Sequence, residues 1–184
     1  MSRLAFVDAH VHFWDLQHPY LHYGWLQPEA EHAQLGPHLE KLKGSNYVAD
    51  DFIAETRSAN VTKAIHVQAA QGTDDPVKET EWLQGEGERT GYPQAIVAYS
   101  ELMDPRVEEE LERHCQHSRM RGIRDFYAAD VLGEPAFQRG YALLEKFDLV
   151  ASMNVEWQHM ESLRDLAGKF PNVNAVIDHC GYPK

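Results

Sequence analysis

The groups best suited to chemistry stand near the start of the chain, in Phe6-Val7-Asp8-Ala9-His10-Val11-His12-Phe13-Trp14. Read as a β-strand, this stretch splits by parity into Val7, Ala9, Val11 and Phe13 on one face and Asp8, His10 and His12 on the other. Two histidines at i and i+2 project about 7 Å apart along one face, so their neutral nitrogens can converge on one divalent ion or one reacting group. In a parallel sheet covered by helices both faces are buried, and such a polar row costs several kcal/mol unless each member finds a partner. Hydrogen-bonded core histidines would also meet that demand. His-x-His at the end of an early strand, with an Asp behind it, favours a site.

Other strands carry polar rows of the same kind. Ala64-Ile65-His66-Val67-Gln68-Ala69-Ala70 puts His66 and Gln68 on one parity; His66, lower on the strand, reads as a core histidine and Gln68 as a pocket residue. Asn154 and Glu156 share a parity on Leu149 to Trp157, where Glu156 is a candidate substrate contact or a solvated strand end. Trp14 and Trp25 could stack on a sugar or pyrone ring, although a buried Trp more often packs. Arg124, at the end of a strand from Met120 to Phe126, offers a rigid donor fork suited to a carboxylate or an oxygen-rich sugar acid. An ion pair with Asp125 or Asp178 is the plainer alternative.

The elements that must position these groups alternate strictly. Helical patterns run over Tyr47 to Ala59 behind a Ser45-Asn46 cap, Pro76 to Gly87, Asp104 to His117, Pro135 to Lys146 and Met160 to Phe170. Between them lie strands at 64–70, 95–100, 120–126, 149–157 and 174–180. This alternation predicts an α/β fold with a parallel sheet and right-handed crossovers, and polar residues at strand ends favour a (β/α)₈ TIM barrel over an open sheet. No glycine-rich fingerprint follows the first strand, which weakens a dinucleotide fold. Leu16 to Asn46 shows no period and reads as one long loop, a candidate lid or substrate wall; His18, His22, His32 and His38 there read as loop or surface residues. A complete barrel takes eight strands and about 250 residues. The 184 residues supply about six βα units, so the expectation is one barrel domain over residues 1–184, truncated after strand 6.

Composition narrows the function further. With 43% hydrophobic residues the chain can bury a sizeable core, and a formal net charge of -12 argues against nucleic acid or an anionic membrane as partner. No apolar run approaches the roughly 20 residues of a membrane span, and the strand begins too early to leave room for a signal peptide. A cytoplasmic location is expected. Cys115 and Cys180 lack metal-finger or redox spacing and are expected to be free thiols.

The residues in hand, Val7 to Trp14 together with Ile177-Asp178-His179-Cys180-Gly181-Tyr182-Pro183, resemble the amidohydrolase superfamily, specifically its amidohydrolase-related family 2 lactonases. These are the fuconolactonase-like sugar lactonases and the 2-pyrone-4,6-dicarboxylate lactonase. Val67-Gln68-Ala69, Glu79-Thr80-Glu81-Trp82-Leu83 and Gly122-Ile123-Arg124 extend the similarity through the middle. The resemblance implies a (β/α)₈ barrel of the metal-dependent hydrolase type, with the site at the C-terminal ends of the strands. It matches His10, His12 and His179 to catalytic and metal-binding histidines, and Arg124 to a position that binds the substrate's carboxylate or lactone oxygen. The implied cofactor is a divalent metal, zinc foremost, on which some members of this branch do not depend. The family's Asp at the end of strand 8 has no counterpart here, which bears on whether these residues act alone.

The expected function is therefore hydrolysis of a sugar-acid or related lactone, within carbohydrate metabolism, on a small-molecule lactone or organic acid, with a homodimer as one option. Two alternatives stand beside it. One is a metal-dependent decarboxylase of the same superfamily. The other is an inactive fragment or interaction module with an open sheet edge.

Overall fold

A computed structural model describes residues 4–32, 35–125 and 130–183. Six strands, β1 (Phe6–Val11), β2 (Val61–Val67), β3 (Ala95–Ala98), β4 (Met120–Ile123), β5 (Val150–Met153) and β6 (Ala175–Ile177), follow one another in a sheet whose order is the chain order. Pairing is parallel between β1 and β2, β4 and β5, and β5 and β6. The helices are α1 (Leu39–Leu42), α2 (Ala49–Thr56), α3 (Val77–Thr90), α4 (Val107–His114), α5 (Pro135–Lys146) and α6 (Met160–Lys169). Among the described residues no helix is long and apolar enough to cross a membrane. The chain forms two compact units, the first ending at Ile96 and the second beginning at Val97.

In the first unit the expected nine-residue strand stops at Val11, and Trp14 makes a separate antiparallel bridge with Tyr47. The expectation that β1 is buried on both faces is corrected. Phe13 is fully buried, but Val7 is 55% exposed, because β1 stands at one end of the sheet order and its first residues lack cover. Helix α2 begins later than its pattern suggested: the Asp51 carboxylate accepts the Val48 N–H at 3.0 Å and anchors the first turn. Asn46 does not cap it. Its Oδ1 accepts the Leu16 N–H and its Nδ2 donates to Asp15, which ties down the segment that follows β1.

That segment, expected to lack structure of its own, has some. It contains 3₁₀ turns at Gly24–Leu26 and Gly36–His38 as well as α1. Its aromatics and leucines have no period because they converge from short turns rather than from one helix or strand. Trp14, Leu21, Tyr23, Leu26 and Leu39 bury themselves against Ala69 and Ala70, at the end of β2. Lys43 Nζ donates to the carbonyls of Pro28 and Ala30 and so satisfies loop backbone that has no ladder partner. His22 and His38 are exposed, and His18 and His32 are half-buried, in keeping with loop positions.

In the second unit α5 has the bounds its pattern predicts, opening on Pro135 in the first turn and burying Phe137, Tyr141 and Leu144. Gly140 is required on that face: a Cβ there would lie 2.0 Å from the Leu102 carbonyl oxygen. Strand β4 is shorter than expected, and Phe126, its expected end, lies outside the described residues. Strand β6 ends at Ile177, before the expected Cys180, because His179, Cys180 and Tyr182 take left-handed φ values of 50°, 54° and 51°. This turn ends the strand beside the residues that carry the motif. Cys115 and Cys180 are exposed free thiols.

Candidate active site

Strand β1 delivers His10 and His12 at its C-terminal end, both half-buried, with ring centroids 5.0 Å apart and planes at 80°. Asp8 lies behind them and accepts the backbone N–H of His10 at 3.1 Å. His12 Nδ1 is 2.8 Å from the Val67 carbonyl oxygen. A carbonyl can only accept, so Nδ1 carries a proton, and in the neutral ring Nε2 holds the lone pair. This is the tautomer through which a histidine ligates a metal or takes up a proton.

His66 is the core histidine expected, fully buried, its Nδ1 accepting the Phe13 N–H at 3.1 Å and its Nε2 3.4 Å from Glu79 Oε1. Gln68, expected to line a pocket, is buried and folds back to donate to the Ala70 carbonyl at 2.9 Å. Trp14, expected to contact substrate, packs among aromatic neighbours. Its indole N–H donates to the Ser45 carbonyl at 2.7 Å while the ring stacks on Tyr47 at 5.3 Å and meets Trp25 edge-on at 5.6 Å. With Tyr47, Asp51 and Glu55 it borders an open cavity of about 450 Å³.

The second unit holds a buried polar network. Arg124 Nε donates to Asp178 Oδ2 at 2.8 Å, and Arg124 Nη2 donates to Asn154 Oδ1 at 3.0 Å. Ser152 Oγ donates to Asp178 Oδ1 at 2.8 Å, and the Tyr182 hydroxyl donates to Asn154 Oδ1 at 2.7 Å. Burial pushes the Tyr182 phenol above its usual range; the Arg124 charge opposes this, while Asp178 and Glu156 add to it. Asp178 and Tyr182 bracket His179, which is exposed and lies with its ring 5.0 Å from that of Tyr182. The network thus grips both ends of the left-handed turn that presents His179. Glu156 is exposed at the start of the 3₁₀ turn Trp157–His159.

Sequence reasoning named Arg124, Asn154 and His179, and offered Asp178 as an ion-pair partner of Arg124, but missed Ser152 and the part played by Tyr182. Ser152 shares the parity of Asn154 and Glu156 on the β5 segment, a signal that could have found it. Nothing local marks Tyr182 as the partner of Asn154.

The imidazoles of His10 and His12 fit two positions of a divalent metal, given their adjacency and the tautomer fixed by Val67. Among the described residues no three His, Cys, Asp or Glu side chains are gathered as a complete centre.

Comparison with known proteins places this geometry in a family. The family described as Amidohydrolase matches residues 7–184. The uncharacterized protein y4mH of Sinorhizobium fredii is 32% identical over 98% of this chain and 64% of its own length. An L-fucono-1,5-lactonase of Burkholderia ambifaria is 23% identical over 96% of the chain and 57% of its own length. A crystal structure of a Burkholderia multivorans amidohydrolase with bound zinc superimposes with a TM-score of 0.75 at 22% identity, over 98% of this chain and 59% of that one. The chain therefore spans about three fifths of the length of these relatives, and its fold is that of the first six βα units of their barrel. Both the motifs and the match over residues 7–184 show that the chain belongs to the amidohydrolase family.

Proposed function

We propose that the protein carrying this chain is a hydrolase that opens the ring ester of a sugar-acid lactone, with L-fucono-1,5-lactone as the first substrate to try. The observation that carries this reading is the 2.8 Å contact between His12 Nδ1 and the Val67 carbonyl, which puts the proton of the neutral ring on Nδ1 beside His10. The similarity to the B. ambifaria lactonase supports the substrate class.

Opening a lactone needs three things: water oxygen must attack the carbonyl carbon, the ring C–O bond must break, and a proton must reach the departing alkoxide to give the hydroxy acid. His10 and His12, with His179 as the motif implies, are the imidazoles assigned to this work. They orient the carbonyl, and His12 Nε2 accepts a proton during water attack and returns one to the leaving oxygen. A divalent ion held by His10 and His12 would instead polarise the carbonyl and lower the pKa of a bound water, taking the place of proton transfer at His12 Nε2.

Arg124 supports His179 through Asp178 and Asn154, the role its two committed nitrogens fit. Glu156, exposed beyond β5, is the candidate contact for substrate hydroxyls.

The test is acid release from aldono-1,5-lactones, followed with a pH indicator, by the full-length protein and its His12→Ala and His179→Ala variants. The wild type is expected to exceed the spontaneous rate, and each variant to lose about 100-fold or more. A wild type no faster than buffer, or variants as fast as wild type, would reject the reading.

A further inference from the structure

We propose that Glu79 is a positioning residue for His12, fixing the tautomer and placement of that imidazole through hydrogen bonds to the backbone just past β2 and through a close contact with His66. Glu79 stands in the first turn of α3, where the helix dipole favours a carboxylate, yet it is only 2% exposed. A carboxylate buried so deeply must be well partnered. Its Oε1 accepts the N–H of Ala69 at 2.9 Å and of Ala70 at 2.7 Å, and lies 3.4 Å from His66 Nε2.

Both sets of contacts lead to His12. Ala69 and Ala70 continue the chain just past Val67, whose carbonyl takes the His12 Nδ1 proton. On the other path His66 Nδ1 accepts the Phe13 N–H, the backbone group that follows His12. Because His66 Nδ1 accepts, its ring proton sits on Nε2 and faces Glu79. One carboxylate oxygen therefore joins the end of β2 to the end of β1, with His12 between. Removing it frees the β2 end to shift relative to His12, and the Val67 contact that selects the tautomer is lost.

The kinetic part of this proposal rests on the lactonase reading; the structural part does not. The experiment is long-range proton–nitrogen NMR of the full-length protein labelled with ¹⁵N-histidine, near neutral pH, with His12 and His66 assigned by substitution. The wild type is expected to show His12 protonated at Nδ1 and His66 at Nε2. Glu79→Ala is expected to convert His12 to a mixture of tautomers and to lower kcat for lactone opening about tenfold or more, with KM changed less than about threefold. Glu79→Gln keeps an oxygen for both backbone N–H groups and is expected to restore the His12 tautomer and most of kcat. Protonation of His66 at Nδ1 in the wild type overturns the proposal whether or not the alanine variant folds. An unchanged His12 tautomer in folded Glu79→Ala also overturns it. A wild type that opens no lactone, but whose His12 responds to Glu79, upholds the positioning and removes only the lactonase reading.

Discussion

Arg124 and Asp178 form a buried ion pair, Nε to Oδ2 at 2.8 Å, with side chains 5% and 2% exposed. The pair links the end of β4 to the turn after β6, and its other contacts reach Ser152 and Asn154 on the β5 segment. Its partners fill the hydrogen-bonding positions that would otherwise make two buried charges costly. An arginine that the motif assigns to substrate is thus also the residue that holds the backbone around His179.

Removing one member leaves the other charged and buried. Asp178→Ala is expected to lower stability by about 3–5 kcal/mol, whereas replacing both partners with apolar residues of similar size should cost much less. Urea unfolding of the two variants and the wild type measures this, and equal costs would contradict it.

Two helical glycines are expected to respond in opposite directions. Gly140→Ala drives a Cβ to 2.0 Å from the Leu102 carbonyl oxygen and is expected to cost about 2 kcal/mol or more. Gly85 in α3 has open space around it, so Gly85→Ala is expected to stabilise by about 0.5–1 kcal/mol. A thermal melt of each variant separates the two; matching shifts would contradict the packing described.

Stability at alkaline pH is expected to depend on Tyr23 and Tyr47. Burial raises both phenols above their ordinary range; at Tyr47 the hydrogen bond to Glu55 adds to it, and at Tyr23 the bond from the Asp15 N–H opposes it. A folded pKa above the unfolded value means the contribution is complete below about pH 10 and is lost as pH rises beyond that, since the unfolded chain releases its proton first. Melting temperature measured from pH 8 to pH 11.5 should fall less steeply in Tyr23→Phe than in the wild type. A steeper fall would contradict the assignment.

Trp14 is expected to matter for folding rather than for substrate. Trp14→Ala should cost about 3–5 kcal/mol by emptying its place between Tyr47 and Trp25. Trp14→Phe should leave KM for a lactone within about threefold. A large KM change in a variant of unaltered melting temperature would restore Trp14 to the binding site.

The alternation of strands and helices was legible because Phe137, Tyr141 and Leu144 repeat at helical spacing behind Pro135, while Ala151 and Met153 alternate with Ser152 and Asn154. The His10 and His12 pair was legible for the same reason, as a polar parity within an apolar strand. What selects the His12 tautomer was not, because its partner is a backbone carbonyl 55 residues away and any residue type supplies one. Glu79 was legible only as part of the stretch Glu79 to Leu83 that extends the resemblance, and only the fold brings it to the amides of Ala69 and Ala70. The packed segment from Leu16 to Asn46 escaped periodicity because Leu21, Tyr23, Leu26 and Leu39 reach one small core from separate turns.

The central claim is tested most directly by opening L-fucono-1,5-lactone in ¹⁸O-water with the full-length protein and with His12→Ala. The account expects the wild type to form the hydroxy acid well above the spontaneous rate, with one ¹⁸O in its carboxylate, and the variant to fall to near that background. A wild type at the spontaneous rate, or a His12→Ala variant as fast as the wild type, would contradict it.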